Sequence, residues 1–379
     1  MTAILPGATI GILGGGQLGR LTAMAARSLG YHIHVLDPDE RCAARFVVER
    51  CLTARFDDDF AAADLARHCA VVTLEIEQVS IASLDAARRY APVRPSAAVL
   101  AVIQDRARQK QWLADHGFAL GPWRVVRGPG ALAEAIAAHG PRCFVKACTG
   151  GYDGRGQAIA SDPAEAEAIY ASLGNGPCVV EQALELQCEL SVLVARRPSG
   201  EVAVYPPAVN HHAERILAWS VLPGDLDPRI TREAMDIARG VAEDLGVEGL
   251  LVVELFLCAD GALRVNELAP RPHNSFHATE VTALTSQFEQ AVRAVCDLPL
   301  GSTEVLRPAA IANLLGDLWI GDRPPRIEAA LALPGVRVHL YGKRVARPGR
   351  KMGHLSAVGA TPAEAVALVQ AAYARLVSA

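Results

Sequence analysis

Residues 250–268 read Leu-Leu-Val-Val-Glu-Leu-Phe-Leu-Cys-Ala-Asp-Gly-Ala-Leu-Arg-Val-Asn-Glu-Leu. Leu250 to Leu257 and Ala262 to Leu268 are apolar strand-like runs, and Asp260-Gly261 between them is a two-residue hairpin signal. A two-residue turn there sets Glu254 opposite Glu267 on an otherwise apolar hairpin. Like charges directly across a strand pair repel. The pair therefore needs a shared proton or a shared cation. Hard carboxylate oxygens suit Mg²⁺, which keeps waters and takes substrate phosphates as well. Glu254 and Glu267 are candidate ligands of a Mg²⁺–nucleotide site; a solvated outer face is the alternative reading. In this register strict alternation turns Asn266 to the other face.

Working outward, Arg271-Pro272-His273-Asn274-Ser275 is dense in donors and suits an oxyanion or a substrate amine close to the metal. His277 follows, and its closeness to the Glu pair favours function over a purely structural histidine. Upstream, four glycines fall in the eight residues from Thr149 to Gly156, and no Gly-Lys-Ser/Thr follows, so this is not a Walker A loop. It lies between two strand candidates. Such a loop can fold over a polyphosphate and exclude water, with Lys146 before it as a point charge on phosphates. Tyr152, Asp153 and Arg155 among the glycines suggest contact with a ligand rather than a plain surface hairpin. Downstream, five of the nine residues from Lys343 to Lys351 are cationic around a Pro348-Gly349 turn. A concentrated cationic hook in an acidic protein reads as a phosphate clamp. It lacks the interleaved aromatics of a nucleic-acid surface.

At the other end, Thr9 to Leu13 reads as a buried strand, Gly14-Gly15-Gly16 as a turn, and Gln17 to Leu29 as a helix with a stripe at Leu18, Leu21, Ala25 and Leu29. Ile33 to Leu36 is a second strand, which makes a βαβ opening. Gly14-x-Gly16-x-x-Gly19, with Asp37 at the end of the next strand, satisfies the dinucleotide fingerprint. Physically it says only that N–H groups at a helix N-terminus can receive an anion, such as a metabolite phosphate. A structural tight turn is the other reading. Further helices are expected over 104–116, 163–173, about 230–245 and from Pro362 onward, with a last lobe of strands near 336–341.

The 379 residues suggest two to three domains. A net charge of −4 gives no global basic field, so any anion site is built locally. The nine cysteines form no CxxC and no zinc-spaced cluster, which fits reduced thiols. No signal-peptide pattern opens the chain and no run of about 18 apolar residues occurs, so no membrane span is expected.

Several of these segments together resemble one family, the N5-carboxyaminoimidazole ribonucleotide synthetases. They are 14–20, Gln104-Asp105-Arg106, 149–157, Val180-Glu181-Gln182, 266–275 and Arg347 to His354, in order along nearly all the chain. The resemblance implies an ATP-grasp fold in the α/β class, α+β in parts. It implies a Rossmann-like N-terminal domain (1–98), a lid domain (99–184) and a C-terminal metal-binding domain (185–379) with a final small lobe from about 325. It implies a cytoplasmic homodimer that uses ATP and Mg²⁺, binds neither nucleic acid nor membrane, and carboxylates aminoimidazole ribonucleotide with bicarbonate through carboxyphosphate. By position, Arg106, Lys146, Gly151, Tyr152, Asp153, Gly154, Arg155, Gly156 and Gln157 would contact ATP. So would Glu181, Gln182, Ala183, Leu184, Glu189, His212, Asn266 and Glu267. Gln17, Leu18, Glu75, Tyr152, Asp153, Arg155, Arg271, His273, Asn274, Ser275, Lys343, Arg350 and Lys351 would meet the ribonucleotide or its partner bicarbonate. Lys146, Asp153, Arg271 and His273 carry the catalytic expectations.

Three departures stand out. Glu75-Ile-Glu-Gln replaces Glu-Phe-Glu-Asn, Ala147-Cys148 replaces more polar residues, and Phe276 stands where the family has glycine, which predicts a reshaped pocket. A formate-dependent glycinamide ribonucleotide transformylase, or another ATP-grasp ligase, would share the fold and the metal site. An NAD-dependent oxidoreductase leaves the Glu pair unexplained, and a non-catalytic nucleotide sensor leaves the retained Lys146 and carboxylates unexplained.

Overall fold

A computed structural model describes residues 2–140, 142–151, 156–320 and 324–377. Three sheets organise it. Strands β1 (Thr9–Leu13), β2 (His32–Asp37), β3 (Arg50–Thr53) and β4 (Val71–Leu74) form a parallel sheet in the order β3-β2-β1-β4. Strands β5 (Trp123–Val126), β6 (Cys143–Ala147), β7 (Gln157–Ala160) and β8 (Cys178–Gln182) form an antiparallel sheet in the order β5-β8-β6-β7. The third sheet holds β9 (Leu186–Arg196), β10 (Val202–Val204), β11 (Ala208–Ala213), β12 (Ile216–Leu222), β13 (Gly249–Cys258), β14 (Leu263–Ala269), β15 (Ala309–Leu315), β16 (Val336–Leu340) and β17 (Lys351–Val358). Its order is β14-β13-β9-β11-β12-β15-β17-β16, with β10 paired to β9.

The third sheet is covered on both faces, which explains the near-continuous apolar run of β13. Leu251, Val253 and Leu255 join Leu190, Val192 and Val194 of β9 against Ile230, Ala234, Ala238 and Val241 of the helix Pro228–Asp244. Leu250 and Val252 face the other way, packing with Leu193, Ala195 and Phe276. Glu254 continues that second alternation, so the apolar face gives way to carboxylate two residues beyond Val252.

The hairpin differs from the expected two-residue form. Cys258 and Ala262 bracket a three-residue loop, Ala259-Asp260-Gly261, closed by bonds Cys258 N→Ala262 O (2.9 Å) and Gly261 N→Cys258 O (2.9 Å). Gly261 takes φ +83°, which a side chain rarely adopts. That loop shifts the register by one near the turn: Leu255 pairs Val265 and Phe256 pairs Arg264. A β-bulge at Asn266 then resets it, and Glu254 does lie opposite Glu267. The same bulge removes the strict alternation that would have turned Asn266 away. Val265 and Leu268 both enter the apolar core, so Asn266 and Glu267 between them are carried to the other side together.

The first glycine loop is also not what its fingerprint suggests. Its N–H groups are taken by the protein's own carboxylates. Asp37 accepts from Gly15 N (2.7 Å), and Glu75 accepts from Gly16 N (2.6 Å) and Gly19 N (2.6 Å). A Cβ built on Gly16 would lie 2.5 Å from a Glu75 oxygen, so the glycines admit Glu75 rather than a phosphate. Burial raises the Glu75 carboxyl from 4.5 to about 7 even though both N–H donors pull it down.

Glu75→Ala is expected to strand the Gly16 and Gly19 amides and cost about 2–4 kcal/mol in urea unfolding. The pH sign follows from the raised folded value. Between about 4.5 and about 7 the folded chain holds a proton here that the unfolded chain has lost. The group's stabilising contribution is therefore complete at low pH and is lost as pH rises through 7. Native protein should lose more stability than Glu75→Gln between about pH 5 and about pH 7.5.

Candidate active site

The opposed carboxylates sit in a polar stretch of the third sheet. Glu254 is buried, and burial, then the neighbouring Glu267 charge, raises its carboxyl from 4.5 to about 8. Glu189 of β9 lies one register step away, opposite Phe256, and pairs with His212 Nδ1 at 2.9 Å. Burial works against the protonated His212, yet the Glu189 hydrogen bond and charge win and hold it above its ordinary value. His273 Nε2 stands 3.2 Å from Glu254 Oε1, and its Nδ1 meets Ser275 Oγ at 2.8 Å. Burial and the Arg271 charge push His273 far down, so it is neutral. Its backbone is fixed by Gln287, which accepts from His273 N (2.8 Å) and donates to His273 O (2.9 Å).

The helix Arg106–Asp115 supports this site from the side. It begins at Asp105, whose side chain caps Ala107 N and Arg108 N. A bulge frees backbone groups, and this helix satisfies them. Gln109 accepts from Leu268 N (3.2 Å), and Lys110 Nζ reaches Asn266 O (3.5 Å). Lys110 is also 3.0 Å from Glu181 Oε1, and Lys146 Nζ is 2.8 Å from Glu181 Oε2. Burial alone would raise Glu181, but Lys146 and Lys110 outweigh it and hold the carboxyl below its ordinary value. Burial lowers Lys110, against the pull of Glu181. Residue-by-residue reading missed Lys110 and Gln109. Their signal was a helix without an apolar stripe, which must bury polar groups if it packs at all.

Beside this ion triad a small cavity is lined by Lys110, Pro122, Gln182, Leu184, Phe256 and Val265. Arg106 spans the base of the central glycine loop, donating to Ala147 O (3.0 Å) and Gly151 O (3.3 Å), while Ala147 N donates to Gly156 O (2.9 Å). Gln157 opens β7 opposite Lys146, and its carbonyl accepts from Arg215 at 3.1 Å. Ala183 follows β8, its N–H bonded to Arg142 O (3.1 Å). Tyr152, Asp153, Gly154 and Arg155 lie outside the described residues.

The ribonucleotide candidates come from both ends of the chain. Lys343 Nζ donates to Gln17 Oε1 (2.7 Å) and to Lys351 O (2.8 Å). Lys351 is buried, whereas Arg350 bonds Val345 O (2.7 Å) within its own turn. Arg271 Nε pairs with Glu77 Oε1 at 2.7 Å, beside the loop that holds Glu75. Leu18 is committed to packing, its side chain buried with Leu21, Phe288 and Tyr341. Asn274 and Ser275 are buried at the start of a short 3₁₀ turn. Phe276 does not reshape a pocket as expected. It is fully buried in the core, edge-on to Tyr205 with centroids 6.2 Å apart. His277 joins a buried stack with His354 (centroids 4.2 Å apart), and Tyr341 Oη bridges the two rings.

Three family models cover this layout: a ribonucleotide synthetase preATP-grasp domain over 7–104, an ATP-grasp domain over 111–288, and a phosphoribosylaminoimidazole carboxylase C-terminal domain over 309–367. The N5-carboxyaminoimidazole ribonucleotide synthase of Brucella melitensis is 40% identical over 359 residues, spanning 94% of this chain and 98% of its own. This chain belongs to the N5-carboxyaminoimidazole ribonucleotide synthase family. The Bacillus subtilis synthase is 38% identical over 354 residues, 93% of this chain and 92% of its own. A crystal structure of the Aspergillus clavatus synthase, in complex with ADP and 5-aminoimidazole ribonucleotide, superposes with a TM-score of 0.90 at 29% identity over 97% of this chain and 98% of that one. The family is one of ATP-dependent ligases on the ATP-grasp fold.

Lys110→Met is expected to leave Glu181 with one cation and the bulge carbonyl of Asn266 without a donor. A loss of about 2–4 kcal/mol in stability should accompany a weaker affinity for ATP, read by urea unfolding and by nucleotide titration.

Proposed function

We propose that the site carries out ATP-dependent carboxylation of the exocyclic amine of 5-aminoimidazole ribonucleotide, with bicarbonate as the carbon source. The observation that carries this reading is the opposed Glu254–Glu267 pair, Glu254 buried and Glu267 partly exposed, with His273 beside Glu254. The donor set fits Mg²⁺. Two hard carboxylates face each other with Glu254 raised to about 8, and the buried Asn266 Oδ1 has no hydrogen-bond partner among the described residues. Bound there by Glu254 and Glu267, Mg²⁺ would neutralise charge on the ATP phosphates.

In this proposal bicarbonate oxygen attacks the γ-phosphorus of ATP, and ADP leaves, giving carboxyphosphate. Lys146, pre-set by Glu181, offsets charge on the phosphates, and Lys110 keeps Glu181 neutralised when Lys146 turns to them. Leu184, Phe256 and Val265, beside the ion triad, would flank the purine. Arg271, held now by Glu77, steadies bicarbonate or carboxyphosphate. The family resemblance gives the segment 149–156 the task of excluding water from a labile intermediate. Lys343, Arg350 and Lys351 with Gln17 bind the ribonucleotide phosphate end. The amine then attacks the carboxyl carbon, phosphate departs, and Asp153 or the neutral His273 takes the amine proton. The homodimer and the cytoplasmic location are proposed with the family resemblance. No helix among the described residues is long and apolar enough to cross a membrane.

The test is ADP release from Mg-ATP and bicarbonate, with and without aminoimidazole ribonucleotide. Release that requires the ribonucleotide, and that falls by about 10²-fold or more in Glu267→Gln, is the expected result. Release with glycinamide ribonucleotide and formate instead would move the function to the sister ligase. A His273→Asn variant should still release ADP but form less carboxylated product per ADP. Light scattering should give twice the chain mass.

A further inference from the structure

The proposed reaction uses no thiol, yet two of the nine cysteines are placed together. Cys42 lies in the loop after β2, and Cys51 lies in β3, the edge strand of the first sheet. Both are free, and their sulfurs are 3.7 Å apart. Cys42 is buried, whereas Cys51 is partly exposed. The two sulfurs are hydrogen-bonded. With Arg45 beside it as a second donor and cation, that bond brings the Cys51 thiol down from 9.0 to about 7 against the effect of burial. The same pairing, with burial, pushes Cys42 up. A partly exposed cysteine on the edge strand and a buried one thus hold their sulfurs 3.7 Å apart, the arrangement of an attacking and a resolving thiol.

We propose that Cys42 and Cys51 form a peroxide-reactive dithiol that closes to a disulfide and shifts the adjoining glycine loop. The Cys51 thiolate attacks a hydroperoxide. An S–O bond forms, the O–O bond breaks, and the leaving oxygen takes up a proton. Cys42 then loses its proton and attacks the Cys51 sulfur, and the S–O bond breaks with release of water. Two thiols and one hydroperoxide become one disulfide, one water and one alcohol, or a second water when the oxidant is hydrogen peroxide. The sulfurs close to about 2.05 Å. Cys42 Sγ is now wedged against Gly15, where a Cβ would lie 2.4 Å from it. Closure draws that sulfur toward β3. The same loop is tied to the glycine turn by Ala44 N→Gly15 O (2.8 Å) and by Arg20 to Ala43 O (3.0 Å). Gly15 lies two residues before Gln17, which meets Lys343.

The full-length protein is treated with hydrogen peroxide and examined by intact mass and by peptide mapping without reductant. The expected result is loss of two hydrogens and a Cys42–Cys51 cross-link that dithiothreitol reverses. Cys42→Ser and Cys42→Ala should stop at a Cys51 sulfenic acid trapped by dimedone, and Cys51→Ser should give neither product. A cross-link between other cysteines, or over-oxidation of Cys51 with Cys42 intact, overturns the pairing. A second readout rests on the function proposed above. Oxidation should raise KM for aminoimidazole ribonucleotide several-fold, reversibly, in the native protein and not in Cys42→Ser. An unchanged KM in cross-linked protein overturns the coupling to the glycine loop and leaves the ligase reading untouched.

Discussion

Two carboxylates held face to face, one buried and one partly exposed, are the constraint around which much of this chain is arranged. Glu254 and Glu267 repel, and a sheet alone has no reason to keep them there. What keeps them is geometry imposed from outside the pair. A bulge at Asn266 fixes the register, the helix Arg106–Asp115 satisfies the bulge's backbone through Gln109 and Lys110, and the apolar faces of β13 lock the strand on both sides. The repulsion is thus stored by packing, and it leaves Glu254 proton-loving until a cation arrives.

The second organising motif is substitution of the protein's own charges for those of ligands. Glu75 and Asp37 occupy the amides of the first glycine loop, and Glu181 occupies Lys146 and Lys110. Glu77 likewise occupies Arg271. In the first case the arrangement is permanent architecture, because Glu75 is sealed under glycines that no side chain can replace. In the other two the cations sit at the edge of the proposed reaction space. Holding them on internal partners orients the side chains in advance, so less conformational freedom is lost when a phosphate or bicarbonate takes over.

How much of this was legible in the sequence depends on the range of the interaction concerned. The βαβ opening, the strands on either side of 149–156 and the long helix at 228–244 follow from local periodicity. The Glu254–Glu267 pairing was also legible, although through two compensating departures: a longer turn and a bulge, each worth one residue of register. Neither leaves a composition signal, since Asn266 reads like any polar strand residue. The occupant of the first glycine loop was not legible because Glu75, the group that fills it, lies far along the chain. Phe276 misled for the opposite reason. Its neighbours Asn274 and Ser275 belong to the site, but a short 3₁₀ turn sends Phe276 into the core. The polar helix hinted at Lys110, but its role was not legible because its partners, Glu181 and the Asn266 carbonyl, come from two other segments.

The bond from Lys343 to Gln17 joins positions 326 residues apart. The strand pairings of the first parallel sheet and of the central sheet are local to their own segments, although Val292, Val295 and Cys296 complete the core of the first. The half of the site expected to receive the ribonucleotide cannot close until Lys343 and the strand after it have left the ribosome. A chain that stops short of Lys343 would already hold the Lys110–Glu181–Lys146 ion triad while lacking the Lys343–Gln17 bond.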